Sequence, residues 1–130
     1  MSTLTKVLER NVAEIEKNAD MKEGRFRLGH HLMPPVGWLN DPNGLCWYKG
    51  KYHVFFQYAP FDVEGGLKFW GHYTSVDLVD WKYEGTALYP DSPYDCHGVY
   101  SGSALVEDEK MHLFFTGNVK IDGDYDYINE

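Results

Sequence analysis

An aspartate set between an asparagine and a proline is the first group in this sequence equipped for chemistry. Asp41 stands in WLNDPNG, Trp38 to Gly44. Pro42 disfavours the α region for the residue before it and so holds the carboxylate on a stiff, extended mount. Two readings of the segment are open. Asp41, Pro42 and Gly44 fill positions one, two and four of a type I turn, where each is favoured. Trp38 and Asn40 are the surplus, because neither an indole nor a second amide is needed to build a turn. A similar question arises at Gln57. It interrupts the aromatic stripe of YHVFFQY, which is core by default, with a polar group that requires a partner.

Other polar groups carry less. The six histidines show no HExxH pattern and no metal spacing. DGDYD places Asp122, Asp124 and Asp126 as in a calcium loop, but Tyr127 takes the glycine position, so a solvated turn is expected. Asp62, Asp77, Asp80, Asp91 and Asp95 sit among turn residues and are expected to be solvated. No cofactor and no metal site is expected.

The elements that must position Asp41 follow from periodicity. Leu4, Val7, Leu8, Val12 and Ile15 recur at helical spacing among Glu and Lys, which predicts one amphipathic helix ending near Asn18 to Asp20. From Gly44 the pattern turns to short aromatic and β-branched strands. GLCWY, the turn KGK and YHVFFQY form one hairpin, and SALVEDEKMHLFFTG forms another. A shift of 59 positions superposes them without a gap, Lys51 on Lys110, His53 on His112 and Phe55 on Phe114. His53 and His112, equivalent in the repeat, are expected to pack within it. Between the hairpins lie FWGHYTS, the DLVDW turn and YEGTALY. A repeat of that length built from antiparallel strands indicates an all-β chain of propeller blades. The expected layout is a short helix and linker over residues 1–24, then a partial propeller of about two blades over residues 25–130, each face of YHVFFQY packed by a neighbouring blade.

Composition bounds the partners. The 130 residues are 43% hydrophobic and 16% aromatic with a net charge of −8, as in a soluble globular chain, and the acidic balance disfavours nucleic acid and anionic membranes. No secretory signal and no membrane-spanning stretch is visible. Cys46 and Cys96 fit no metal or disulfide framework, and reduced thiols in a cytoplasmic protein are expected.

WLNDPNG, FQYAP (Phe56 to Pro60), FWGHYTS, DLVDW and YSGSA (Tyr100 to Ala104) follow one another in an order that resembles glycoside hydrolase family 32, the invertases and β-fructofuranosidases. HHLMPPVGW and FFTGNVK look most like the bacterial sucrose-6-phosphate hydrolase branch. The resemblance implies a five-bladed propeller with a site at its axis, covers about Arg25 to Val119, and does not extend clearly to the N-terminal helix. It also implies Asp41 as nucleophile. Asn40, Gln57, Trp70 and Ser101 would line the fructose subsite, and His72 would either line that site or serve its strand. Ala59 departs from the family's FQYNP at a peripheral turn.

Retaining hydrolysis needs two carboxyl groups about 5 to 5.5 Å apart, one to attack the anomeric carbon and one to protonate the leaving oxygen. Gln57 and Ser101 suit the sugar hydroxyls, and Trp38 or Trp70 its apolar ring edges. The family's acid is a glutamate in an E-C motif, with a sugar-holding aspartate in an R-D-P motif, and neither motif occurs here. The chain therefore reads as the N-terminal part of a β-fructofuranosidase acting on sucrose or sucrose 6-phosphate, inactive alone and needing its remaining blades. A non-catalytic fructoside-binding module is the alternative. A WD-type interaction module is disfavoured by the reversed Asp80-Trp81 order and the long repeat.

Overall fold

The computed structural model describes residues 2–19, 26–120 and 127–129. Helix α1 runs Thr3–Lys17, started by the Ser2 hydroxyl accepting from the Thr5 N–H and ended at Asn18. The helical periodicity is thus realised nearly residue for residue. Among the described residues seven strands follow: β1 Trp38–Tyr48, β2 Lys51–Ala59, β3 Phe69–Ser75, β4 Trp81–Leu88, β5 Val99–Glu107, β6 Lys110–Lys120 and β7 Tyr127–Asn129. They form a four-stranded sheet in the order β1-β2-β3-β4 and a three-stranded sheet in the order β5-β6-β7, every pair antiparallel. DGDYD lies outside the described residues.

The sequence repeat is a repeat of register. Tyr48↔Lys51, Trp47↔Tyr52 and Cys46↔His53 recur as Glu107↔Lys110, Val106↔Met111 and Leu105↔His112. Both hairpins turn through two residues of positive φ, Lys49 and Gly50 in the first, Asp108 and Glu109 in the second. That geometry matches the right-handed twist of the flanking strands. The turn reading of Asp41-Pro42-Asn43-Gly44 is corrected by the structure, since β1 runs on, with its register shifted, through all four residues. At the edge of its sheet and beside a register shift, the strand tolerates a proline.

Alternation along β2 separates two cores. Val54, Phe56 and Tyr58 face one way with Phe69 and Tyr73, and Val12 and Leu8 of α1 cover them together with Leu32, Val36 and Leu39. Phe55 faces the other way with Trp70, against Val99, Met111 and Leu113 of the second sheet. Where a neighbouring blade was expected on each face, a second sheet packs on one face of β2 and a helix covers the other. Glu16 anchors that helix by accepting hydroxyls from Tyr58 at 3.0 Å and Tyr83 at 2.7 Å. Thr5 adds a bond to Asp91 at 2.5 Å.

Two expectations about polar groups also change. Asp95 is 5% exposed rather than solvated, because its carboxylate accepts the Ser92 N–H inside the turn it closes. His112 is exposed while His53 is packed, because the face of the second sheet that carries His112 has no cover among the described residues. Leu105 and Phe114 on that same face are 49% and 55% exposed.

Candidate active site

Two β-bulges build the site. In β1, Asn40 pairs with Gln57 and Pro42 pairs with the next residue back, Phe56, so Asp41 is the extra residue with no partner. In β5, Tyr100 pairs with Thr116 and Gly102 with Phe115, so Ser101 is the extra residue there. A bulge breaks the strict alternation of side chains and re-aims one of them. One bulge in each sheet thus falls on one of the two candidate residues, and the result is a contact between sheets: the Ser101 hydroxyl donates to Asp41 Oδ2 at 2.8 Å.

The neighbours fix this pair. Gln57 is 5% exposed, and its Nε2 donates to Ser101 Oγ at 2.8 Å, which leaves the serine hydrogen for Asp41. The polar interruption of the aromatic stripe thus has its partner across the sheet boundary. Asn43, 4% exposed, donates to the Asp41 carbonyl at 2.8 Å and accepts the Gly102 N–H at 3.1 Å. One amide therefore clamps the two bulges together. Gly102 is required at its position, because a Cβ there would lie 1.9 Å from the Phe114 carbonyl oxygen. Asn40 and Asp41 are exposed and Ser101 is half-buried, so the carboxylate meets solvent over a buried polar floor.

The two tryptophans divide. Trp70 is fully buried, its indole N–H donated to the Tyr100 carbonyl at 3.0 Å and its ring near Phe55 and Phe115. This corrects the expectation that Trp70 offers a face for stacking. β3 points it into the core between the sheets, where it supports the strand that carries Ser101. Trp38, half-buried at the start of β1, has Gly65 against its ring and the Lys68 ammonium 5.3 Å from its centroid.

His72, half-buried on β3, packs against its own sheet. Its ring stacks on Phe55 at 4.2 Å and on His53 at 5.1 Å, and Nε2 shares a 2.9 Å hydrogen bond with His53 Nδ1. Burial pushes its pKa down to about 4, with His53 adding to the effect and Glu84 opposing it. These contacts hold a neutral imidazole between its neighbours on β2. Cys46 and Cys96 are free thiols, and burial raises the Cys46 pKa. Among the described residues no group of three or more His, Cys, Asp or Glu side chains could hold a metal ion, and no helix is long and apolar enough to cross a membrane.

Sequence reasoning missed Asn43, Lys68 and Gly102. Asn43 was in plain view within WLNDPNG, but the turn reading gave it nothing to do. Lys68 had no local signal, since its partners come from three separate segments.

Known proteins share this arrangement of strands. Residues 31–128 match the model of the glycosyl hydrolases family 32 N-terminal domain. The chain is 52% identical over 108 residues to a sucrose-6-phosphate hydrolase of Bacillus subtilis, covering 82% of this chain and 22% of that protein. It is 43% identical over 112 residues to the sucrose-6-phosphate hydrolase of Streptococcus mutans, covering 86% of this chain and 23% of that one. It thus spans less than a quarter of the length of these curated relatives. Among solved structures, a β-fructofuranosidase of Bombyx mori superposes with a TM-score of 0.84 at 38% identity, over 95% of this chain and 26% of that one. The sucrose-6-phosphate hydrolase of Lactobacillus gasseri gives 0.76 at 39% identity, over 92% and 24%. With fold and sequence in agreement, this chain belongs to glycoside hydrolase family 32, its residues 31–128 falling within the family's N-terminal domain.

Proposed function

We propose that this chain is the nucleophile-bearing N-terminal portion of a β-fructofuranosidase that cleaves sucrose or sucrose 6-phosphate with retention. The observation that carries the reading is the pair of bulges that brings Asp41 and Ser101 to 2.8 Å over Gln57. Ser101 engages Oδ2, and Oδ1 carries no hydrogen bond to the described residues, so one oxygen is oriented and the other is free to attack. Asp41 adds to the anomeric carbon of the fructosyl unit and forms a covalent ester-type bond, while the bond from that carbon to the bridging oxygen breaks. The bridging oxygen takes a proton from a second carboxyl group, and water then hydrolyses the intermediate with the roles reversed.

Asn40, Gln57 and Ser101 hold sugar hydroxyls, and Trp38 presents an apolar face to the ring. Trp70 acts from beneath, through Tyr100. The acid comes from the remainder of a longer enzyme, which the coverage of only 22% of the Bacillus subtilis relative supports. A mutant form of the Bombyx mori β-fructofuranosidase has been solved in complex with sucrose, which supports a fructoside as substrate class. Free thiols at Cys46 and Cys96 accord with a cytoplasmic enzyme.

The test is to trap the intermediate. The full-length enzyme is mixed with sucrose, quenched in acid during turnover, digested and mapped by mass spectrometry. The peptide containing Asp41 is expected to carry the added mass of one anhydrohexose unit. Turnover with no label there, and label on another carboxylate, overturns the assignment. Fructoside binding without turnover would favour a binding module.

A further inference from the structure

We propose that Lys68 is a positioning residue: its ammonium couples the Trp38 wall of the candidate site to the Tyr100–Ser101 wall and clamps the preceding loop onto the Trp38 indole. The kinetic part of this inference rests on the fructosidase reading above, whereas the structural part does not.

Lys68 sits in GGLKFWGH, one residue before β3 begins. Its backbone already joins the two sheets, because its carbonyl accepts the Val99 N–H at 2.8 Å at the start of β5. The side chain repeats the connection. Nζ donates to the Gly65 carbonyl at 2.6 Å and the Gly66 carbonyl at 3.2 Å. The same ammonium stands 5.3 Å from the Trp38 ring centroid and 5.3 Å from that of Tyr100. Trp38 lies three residues before Asp41, and Tyr100 immediately precedes Ser101. One cation therefore bridges the approaches to both bulges.

The loop is part of the same device. Gly65 has φ +97°, and a Cβ on it would lie 3.1 to 3.3 Å from three atoms of the Trp38 indole. The peptide whose carbonyl Lys68 holds thus lies directly on that ring. Asp62 shapes the turn before it by accepting the Glu64 N–H at 2.7 Å. Placing an ammonium here is unfavourable in itself: burial lowers the Lys68 pKa, Lys120 adds to this and Asp62 opposes it. Two carbonyl bonds and two ring faces offset that cost, and both rings prefer a cation to a neutral group.

Lys68 acts through Trp38 and Tyr100 without touching the sugar. Holding the indole in one orientation prepays the ordering that binding would otherwise require. A guanidinium can reproduce the charge, whereas a thioether of similar length cannot.

The experiment compares Lys68→Met and Lys68→Arg in the full-length enzyme. For Lys68→Met the KM for sucrose and for sucrose 6-phosphate is expected to rise roughly tenfold together, with kcat changed less than about threefold. Lys68→Arg is expected to restore most of the loss, and the crystal structure of Lys68→Met to show the indole of Trp38 and the 61–67 loop displaced. An unmoved indole, or unchanged KM, overturns the proposal. A KM rise confined to sucrose 6-phosphate also overturns it, since Lys68 would then be a phosphate contact. Should the wild-type enzyme cleave neither sugar, the fructosidase reading fails, and the crystal structure of the variant still decides the clamp.

Discussion

Asp41→Asn separates a structural from a chemical role for the aspartate. The side chain of Asp41 is exposed, and its one hydrogen bond to the described residues is the 2.8 Å contact from Ser101. Asparagine keeps the shape, and its Oδ1 accepts the same hydroxyl, so Gln57 retains Ser101 as its acceptor. Nothing buried is orphaned. The stability change is expected to stay within about 1 kcal/mol, the range of exposed substitutions that leave buried networks intact. The attacking charge, by contrast, is gone. Loss of a nucleophile costs on the order of 10⁴-fold or more in kcat, which is about 5 kcal/mol of transition-state stabilisation. Ser101→Ala provides the contrast. It leaves the buried Gln57 amide without its acceptor and should lower stability by about 1 to 3 kcal/mol. The assay is glucose release by the full-length enzyme with a melting curve on the same sample. A rate for Asp41→Asn within tenfold of wild type, or a collapsed melting curve accounting for the inactivity, refutes the reasoning.

Three further outcomes are expected. Gly102→Ala forces a Cβ to within 1.9 Å of the Phe114 carbonyl oxygen and should destabilise the enzyme by about 2 kcal/mol or more, seen as a lowered melting temperature; an unchanged one would show that the bulge in β5 yields freely. His72, held down to about 4 from 6.5, refuses a proton that the unfolded chain accepts below pH 6.5, so its contribution is complete above that pH and is lost as pH falls towards 4. The melting temperature of wild type should therefore fall more steeply across that window than that of His72→Gln, and parallel slopes would count against the burial of its neutral form. The 130-residue chain by itself is expected to release no glucose from sucrose or sucrose 6-phosphate and to self-associate through the exposed Leu105 and Phe114 face, which sedimentation and a coupled glucose assay would check.

The sequence by itself determined what repeats and what alternates. Short aromatic and β-branched runs read as strands, the recurrence of Leu4, Val7, Leu8, Val12 and Ile15 read as a helix, and the 59-residue shift carried the register of one hairpin into the next. The motifs around Asp41, Gln57 and Ser101 likewise pointed to one family, which the comparisons bear out at domain level. Tertiary structure decided the rest, because it depends on residues far apart in the chain. DPNG has the local chemistry of a turn, yet pairing with β2 draws it into an edge strand, where the surplus residue becomes a bulge. Propensity is set by neighbours in sequence, and ladder bonds to β2 outweigh it. Whether Trp38 or Trp70 faces outward was invisible, since both are large and aromatic. Burial followed only once the second sheet closed over Trp70. Lys68 shows the limit most plainly: its contacts with Gly65, Gly66, Trp38 and Tyr100 join three stretches of chain, and no pattern within any one of them records the charge that links them.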